Sequence, residues 1–178
     1  MNKLISIEKF QESIRNYNNF TVTGFRWSGT PQLLLRSIRD SFDNYGKPNN
    51  VTIIFTSSAT DPGIDHLAHP DLLSCSYGSY YGSIPKIRQL VEKNLISGYS
   101  LPQGQLSLLF REIARGSPGL ISKIGMNTYV DPLLNGGKLN NRTKDDAIER
   151  IKIKNEDYLF YKKIDIDIAL IRGTVSDK

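Results

Sequence analysis

Cysteine is almost missing from this chain. Cys75 is the only one in 178 residues, which excludes an internal disulfide framework. Histidine is nearly as scarce: with only His66 and His69 present, a metal site would have to draw on carboxylates as well. No apolar run approaches the roughly 20 residues that cross a bilayer. The opening Met1-Asn2-Lys3-Leu4-Ile5-Ser6-Ile7-Glu8-Lys9 turns polar too soon for a signal peptide. No dense Lys/Arg block and no RNA- or DNA-binding motif can be read, and neither a repeat nor a low-complexity segment occurs. These gaps lead to the expectation of a cytoplasmic protein with no membrane or nucleic-acid partner. What is present is a 39% hydrophobic composition and a net charge of +5. The first fits a single globular domain over residues 1–178, long enough to bury a substantial core. The second suits an anionic ligand such as a phosphorylated cofactor, and equally an ordinary solvated surface.

The hydrophobic pattern alternates between two periods. Ser6 can cap a helix over residues 7–17 whose stripe is Ile7, Phe10 and Ile14. Phe20-Thr21-Val22-Thr23 reads as a strand that stops at Gly24. Pro31 opens a helix with Leu34, Leu35, Ile38 and Phe42 inward. Val51-Thr52-Ile53-Ile54-Phe55 has the near-continuous apolarity of a strand covered on both faces. The order helix, strand, helix, strand favours a parallel sheet in an α/β architecture. Further along, 72–75 and 96–100 read as strands, and 84–93 and 103–114 as helices. A turn is expected at Gly116-Ser117-Pro118-Gly119. The last third is different: 128–144 is loop-rich, and a hairpin is expected near 148–163 with its turn at Asn155-Glu156-Asp157. Residues 164–171 read as a strand entering the core. The chain halts soon after it, which reads either as a natural tail or as a fold that continues on a partner chain or in sequence not included here.

Four features bear on chemistry. Gly24-Phe25-Arg26-Trp27-Ser28-Gly29 has the glycine spacing of a phosphate-cradling loop, but Thr30 stands where that loop needs lysine. A nucleotide triphosphatase is therefore disfavoured, leaving a glycine turn that brings backbone N–H groups close to a ligand at the carboxyl end of a strand, where open α/β sheets bind ligands, or simply a tight βα turn. His66 and His69 in Asp65-His66-Leu67-Ala68-His69-Pro70-Asp71 could approach one metal ion. Pro70 ends any helix there, however, and local packing or capping is the favoured reading. Cys75 has no activating base near it and reads as an inert thiol. Ser100-Leu101-Pro102-Gln103-Gly104-Gln105 places the Gln103 amide in the first turn of a helix. There it can join unpaired backbone N–H groups in receiving a carbonyl oxygen that gains negative charge, or simply cap its own helix. The six glutamates, Glu8, Glu12, Glu92, Glu112, Glu149 and Glu156, all fall among charged neighbours on helices or the hairpin. None reads as a nucleophile, and no acid/base pair of the kind a sugar-phosphate isomerase needs is visible.

Several of these segments together resemble family I coenzyme A transferases, and in particular their acetate/propionate branch. The resemblance is carried by Gly24-Phe25, Gly29 and Pro31, by Asp65 to His69, and by Ile96 to Gly104. It continues through Leu109 to Gly116, Gly125 to Pro132, Gly136-Gly137-Lys138-Leu139-Asn140, Tyr158 to Lys162 and Ala169 to Thr174. It implies a three-layer α/β/α fold with a mainly parallel sheet. It also implies transfer of CoA between short-chain carboxylic acids through a glutamyl-CoA thioester, within fatty-acid or ketone-body metabolism. Gln103 matches the family's oxyanion donor, and Gly24, Phe25, Ser28, Gly29, Gly82 and Gly104 match positions lining the substrate. No metal and no permanently bound cofactor is implied; coenzyme A is a substrate. The family's nucleophilic glutamate belongs to a second, homologous half, so the resemblance implies an alpha-subunit-like part, inactive alone, within an oligomer. The alternative is a non-catalytic relic or anion-binding module keeping the fold. Departures are Arg26 and Trp27 where small residues are usual, Gly78-Ser79-Tyr80-Tyr81-Gly82 in place of a Gly-Gly-His-Trp-Gly-like turn, and Thr174-Val175-Ser176-Asp177 at the end.

Overall fold

A computed structural model describes residues 4–25, 28–57 and 63–175. In chain order it contains α1 (Ile7–Ile14), β1 (Asn19–Val22), α2 (Gln32–Tyr45), β2 (Val51–Phe55), a 3-10 helix (Ile64–Leu67), β3 (Leu73–Gly78), α3 (Pro85–Glu92), β4 (Ser97–Ser100), α4 (Gln103–Ala114), β5 (Gly119–Ser122), β6 (Ile148–Ile153), β7 (Glu156–Lys162) and β8 (Ile168–Leu170). β4, β3, β2, β1 and β8 lie side by side in that order and pair in parallel throughout. A second, antiparallel sheet runs β5-β7-β6.

The run at 51–55 shows why the large sheet is the middle layer. Val51, Ile53 and Phe55 point into one core with Leu35 and Ile38 of α2, Ile87 and Val91 of α3, and Ile14 of α1. Ile54 points the other way, into a core with Tyr99, Leu106 of α4, and Leu159 and Tyr161 of β7. Period-two alternation on an apolar strand serves two cores at once. The small antiparallel sheet thus joins α4 as the third layer.

Several boundaries differ from the sequence reading, each for a local reason. α1 stops at Ile14, three residues early, because Tyr17 N already bonds back to Ile14 O in a turn (3.1 Å). The Ser6 cap is present, accepting from Lys9 N (3.3 Å). β3 runs on to Gly78, held between β2 and β4. The hairpin turns at Lys154 and Asn155, one step earlier than expected, both with positive φ (48° and 65°). β5 was not expected: its Gly119 and Leu120 gain strand structure only by pairing with Lys162 and Tyr161. β8 shrinks to 168–170, where β1 is available to pair. α4 matches its expected span, with Pro102 as the residue before it.

The edge strand β4 is covered from within. Residues 137–139 run beside it, with Ser100 N donating to Gly137 O (2.8 Å) and Leu139 N to Gly98 O (2.9 Å). Gly137 has φ 73°, and a Cβ there would lie 2.9 Å from Ser100 O, so only glycine lets this cover close.

Asp65 explains how the third helix starts. Ile84 precedes α3 and offers no side-chain cap. The Asp65 carboxylate takes that task from a distance, accepting from Lys86 N and Ile87 N at 3.0 Å each. Burial pushes its carboxyl above the usual carboxylate range, against the pull of those two N–H groups. Asp65→Ala is expected to cost about 1–2 kcal/mol in urea unfolding. Asp65→Asn, which keeps an acceptor, should cost less. Equal losses would mean that the charge, not the cap, matters.

Candidate active site

Parallel pairing brings four chain segments to one edge of the large sheet: those that leave the carboxyl ends of β1, β2, β3 and β4. Every substrate-lining position named from the sequence falls in these segments. Gly24, Phe25, Ser28 and Gly29 follow β1, Gly82 follows β3, and Gln103 and Gly104 follow β4. Strands about 4.8 Å apart put the β1 and β4 segments on the order of 14 Å from one another.

Gln103 is the first residue of α4 and is exposed. Its surroundings fix its backbone: Leu101 and Leu106 on either side are 2% and 1% exposed. Leu101 N donates to Gly78 O (2.9 Å), which extends the pairing of β3 with β4 by one more residue. The first bond of the helical ladder runs from Leu106 N to Pro102 O (3.0 Å). The N–H groups of Gln103, Gly104 and Gln105 therefore stand ahead of the ladder. Pro102 contributes no side-chain cap. The result is a carboxamide and a set of backbone donors at the positive end of a 12-residue helix. Such a surface can receive a developing negative oxygen. Nothing within 4 Å would meet a Cβ on Gly104, so the surface there is open.

The β1 turn is built differently from the expectation of free backbone donors. Phe25 N donates to Ser28 O (2.9 Å) and Ser28 N to Phe25 O (3.0 Å), so both amides are spent inside the turn. A Cβ on Gly29 would lie 3.7 Å from Gly24 Cα, and Gly29 has φ 75°, so the two glycines close the turn base against one another. Among its described residues the turn exposes Phe25, at 59%, and Ser28. Arg26 and Trp27 lie outside the described residues.

After β3, two adjacent tyrosines part ways. Tyr81 is buried, its hydroxyl bonded to Ser76 Oγ (2.9 Å) and donating toward Ser76 O and Tyr99 O (3.0 Å each), its ring edge-on to Phe55. Tyr80 is 63% exposed and packs its hydroxyl end where a Cβ on Gly82 would sit. Ser79 Oγ donates to Thr56 O and ties this loop to the end of β2. Between this loop, α3 and β4 lies a cavity of about 380 Å³ whose lining includes Tyr80, Gly82, Arg88 and Ser100. Ser79, Tyr80, Arg88 and Ser100 were not expected at the site. Arg88 reads in sequence as one half of an i, i+4 pair with Glu92, and it does make that pair (3.4 Å). Only the parallel order of β3 and β4 places it beside Ser100.

The remaining sequence candidates go elsewhere. His66 packs with its Nε2 buried and without a partner, and burial, then Arg36, holds it below the usual imidazole range. His69 lies against Phe42, ring centroids 5.0 Å apart, and its Nδ1 accepts from Asp71 N (3.2 Å). Among the described residues no group of three His, Cys, Asp or Glu side chains could hold a metal ion. Burial pushes the Cys75 thiol up to about 12, so no thiolate forms near neutrality. Glu92, Glu112, Glu149 and Glu156 pair with Arg88, Arg115, Lys162 and Lys123. Among the described residues no helix is long and apolar enough to cross a membrane.

Comparison with known proteins converges on one family. The model for coenzyme A transferase matches residues 5–178. Caffeate CoA-transferase of Acetobacterium woodii is 36% identical over 181 residues, taking in 100% of this chain and 34% of that protein. Acetate CoA-transferase YdiF of Escherichia coli K12 is 40% identical over 147 residues, 81% of this chain and 28% of that protein. The structure of acyl-CoA transferase YdiF from Escherichia coli O157:H7, as a thioester complex with CoA, superposes with a TM-score of 0.85 at 36% identity. It covers 93% of this chain and 34% of that one. The chain thus spans about one third of the length of these two relatives.

Proposed function

The chain belongs to the coenzyme A transferase family, and from that premise we propose that it supplies the oxyanion-binding wall of an enzyme whose attacking carboxylate comes from a second half. The observation that carries this reading is Gln103: an exposed carboxamide at the uncapped start of α4, on a backbone held by buried Leu101 and Leu106.

The chemistry follows from what the wall can and cannot do. A glutamate of the second half attacks the carbonyl of an acyl-CoA thioester. The carbonyl π pair moves onto oxygen, and the Gln103 amide with the leading N–H groups of α4 receives that charge. Collapse expels CoA thiolate and leaves an acyl-glutamyl anhydride. The thiolate then attacks the glutamyl carbonyl, releasing the first carboxylate and forming an enzyme–CoA thioester. A second carboxylate runs the steps backward. No external base or redox partner is required, because carboxylate and thiolate exchange as anions. A chain with a donor surface and no free glutamate at it is suited to one side of this reaction only.

The acids are read as short ones, such as acetate, propionate or a 3-oxo acid. Relatives named for acetate and for caffeate are similarly close, at 40% and 36% identity, so the acyl group is set by side chains rather than by fold. The test is direct: add this chain to the complementary half and follow CoA exchange between acetyl-CoA and labelled propionate. Exchange is expected from the mixture, with ping-pong kinetics, and from neither part alone. A folded mixture without exchange would leave the chain as a non-catalytic, anion-binding relic.

A further inference from the structure

Beside the segment that carries Gln103 stands an exposed apolar loop with no part in the transfer chemistry. Leu133 and Leu134 are 71% and 65% exposed, and Tyr129 is about half exposed. Both ends of their loop meet at the end of β4. Gly137 N donates to Tyr129 O (3.1 Å), Ser100 N donates to Gly137 O (2.8 Å), and the Tyr129 hydroxyl lies 3.0 Å from Ser100 Oγ. Gln103 follows Ser100 by three residues. At ~3.6 Å per residue, chain length alone keeps Leu134 within roughly 30 Å of Gln103. α4 adds to the exposed apolar surface: Leu108 is exposed and stands one helical turn beyond Gly104 on the same face.

Leucines scattered singly over a surface are ordinary. Two things set these apart. The first is charge: from Ile124 to Gly137 the only charged residue is Asp131, and it is buried. Depletion of charge around exposed aromatic and aliphatic side chains marks the centre of an interface. The second is rigidity. Asp131 O accepts from Leu134 N (2.9 Å), Asn135 N (3.1 Å) and Gly136 N (3.0 Å). The Asp131 carboxylate is fixed in turn by Arg150 (2.8 Å). Gly136 and Gly137, at φ 64° and 73°, close the turn. The fold thus holds two leucines in water, which is unfavourable in proportion to their apolar area, on a support that loses little further freedom when they are covered. We propose that Tyr129, Leu133 and Leu134, with Leu108, anchor the second half of the transferase, the half that brings the attacking carboxylate to Gln103. This rests on the functional reading above. A folded domain is on the order of 30 Å across, so one that sets a carboxylate against Gln103 is wide enough to cover the leucines too. They form the anchor and not the whole contact, since a stable complex covers about 800 Å² on each side.

The test titrates the complementary half of the exchange assay into the 178-residue chain, reading association by calorimetry and CoA exchange in the same mixtures. Leu133→Lys combined with Leu134→Lys is expected to weaken association tenfold or more. Exchange by this variant should return to within threefold of wild type once the partner is saturating, because the leucines dock and do not react. Gln103→Ala should give the opposite pattern, with association kept and turnover lost. Leu95→Lys, exposed just before β4 at the other end of that strand, should associate within twofold of wild type. Both loop leucines are exposed, so urea unfolding of the double variant should match wild type. If it does not, Leu133→Ser and Leu134→Ser carry the test, each weakening association at least threefold. Association within twofold of wild type in the folded double or serine variants overturns the proposal. So does failure of the unmodified chain to associate, or sedimentation showing that the leucines instead hold two copies of this chain together. Association that depends on the leucines, without CoA exchange, keeps the docking face and rejects the functional reading. Exchange that is undiminished in the double variant at limiting partner does the reverse.

Discussion

Gln103→Ala, assayed in the enzyme completed by its second half, is expected to lower CoA exchange by about 10²–10³-fold, the loss seen when one oxyanion donor is removed. The effect should fall on turnover. In the proposed role Gln103 meets the oxygen only once it carries charge, so ground-state binding of acyl-CoA should change little. Gln103→Glu should be at least as damaging, since it keeps the length but sets a negative group against a developing negative oxygen. Fold stability separates this role from simple helix capping. Gln103 is exposed and is not the residue that precedes the helix; that residue is Pro102. Urea unfolding of the alanine variant should therefore stay within about 0.5 kcal/mol of wild type. Turnover within threefold of wild type would remove Gln103 from the chemistry. A stability loss that tracked the activity loss would return it to capping.

The position of Gln103 could be read from sequence because its signals are local: a proline, an amide and a glycine at the junction of a four-residue strand and an apolar-striped helix. β2 was legible for the same reason, its five residues matching the expected span to the residue. What escaped was whatever another part of the chain decides. β5 pairs only because β7 comes back to it. Asp65 sits in a segment that looks like a metal motif, and its partners lie 21 and 22 residues further on. Tyr80 and Tyr81 are indistinguishable in sequence, yet one packs on Phe55 and the other faces outward. Thr30 was noted for the lysine it replaces. That its hydroxyl is buried without a partner is decided by the packing around it and has no local signal. The glycine turn shows the opposite failure. Its spacing suggested free backbone donors, and the Phe25 and Ser28 amides are spent within the turn.

Arg150→Ala is expected to cost about 3–5 kcal/mol, because it strands a carboxylate inside the protein. Asp131 has a side chain only 1% exposed. Its Oδ1 accepts from Arg150 Nε (3.0 Å) and Leu133 N (3.1 Å), its Oδ2 from Arg150 Nη2 (2.8 Å) and Asn127 N (2.8 Å). That pair staples residues 127–133 to β6, and with them Val130, which is fully buried in the second core. Tyr129 belongs to the same loop. Its O accepts from Gly137 N (3.1 Å), and its hydroxyl meets Ser100 Oγ (3.0 Å). The Asp131–Arg150 pair therefore fixes a loop that also bonds to Ser100 at the end of β4 and to Gly137 of the segment covering that strand. Its pH signature has a definite sign. Arg150 keeps the Asp131 carboxyl well below the usual carboxylate range. The stabilisation is thus complete above the unfolded value of about 4 and is lost as pH falls through the folded one. Without Arg150 the buried carboxylate gains by taking up a proton, so the variant should lose less than wild type on acidification. The gap between the two in urea unfolding should be widest at pH 7 and narrow steadily below about pH 4. A gap that stays constant from pH 7 to pH 3 would mean that Arg150 stabilises by packing its stem, with no electrostatic hold on the 127–133 loop.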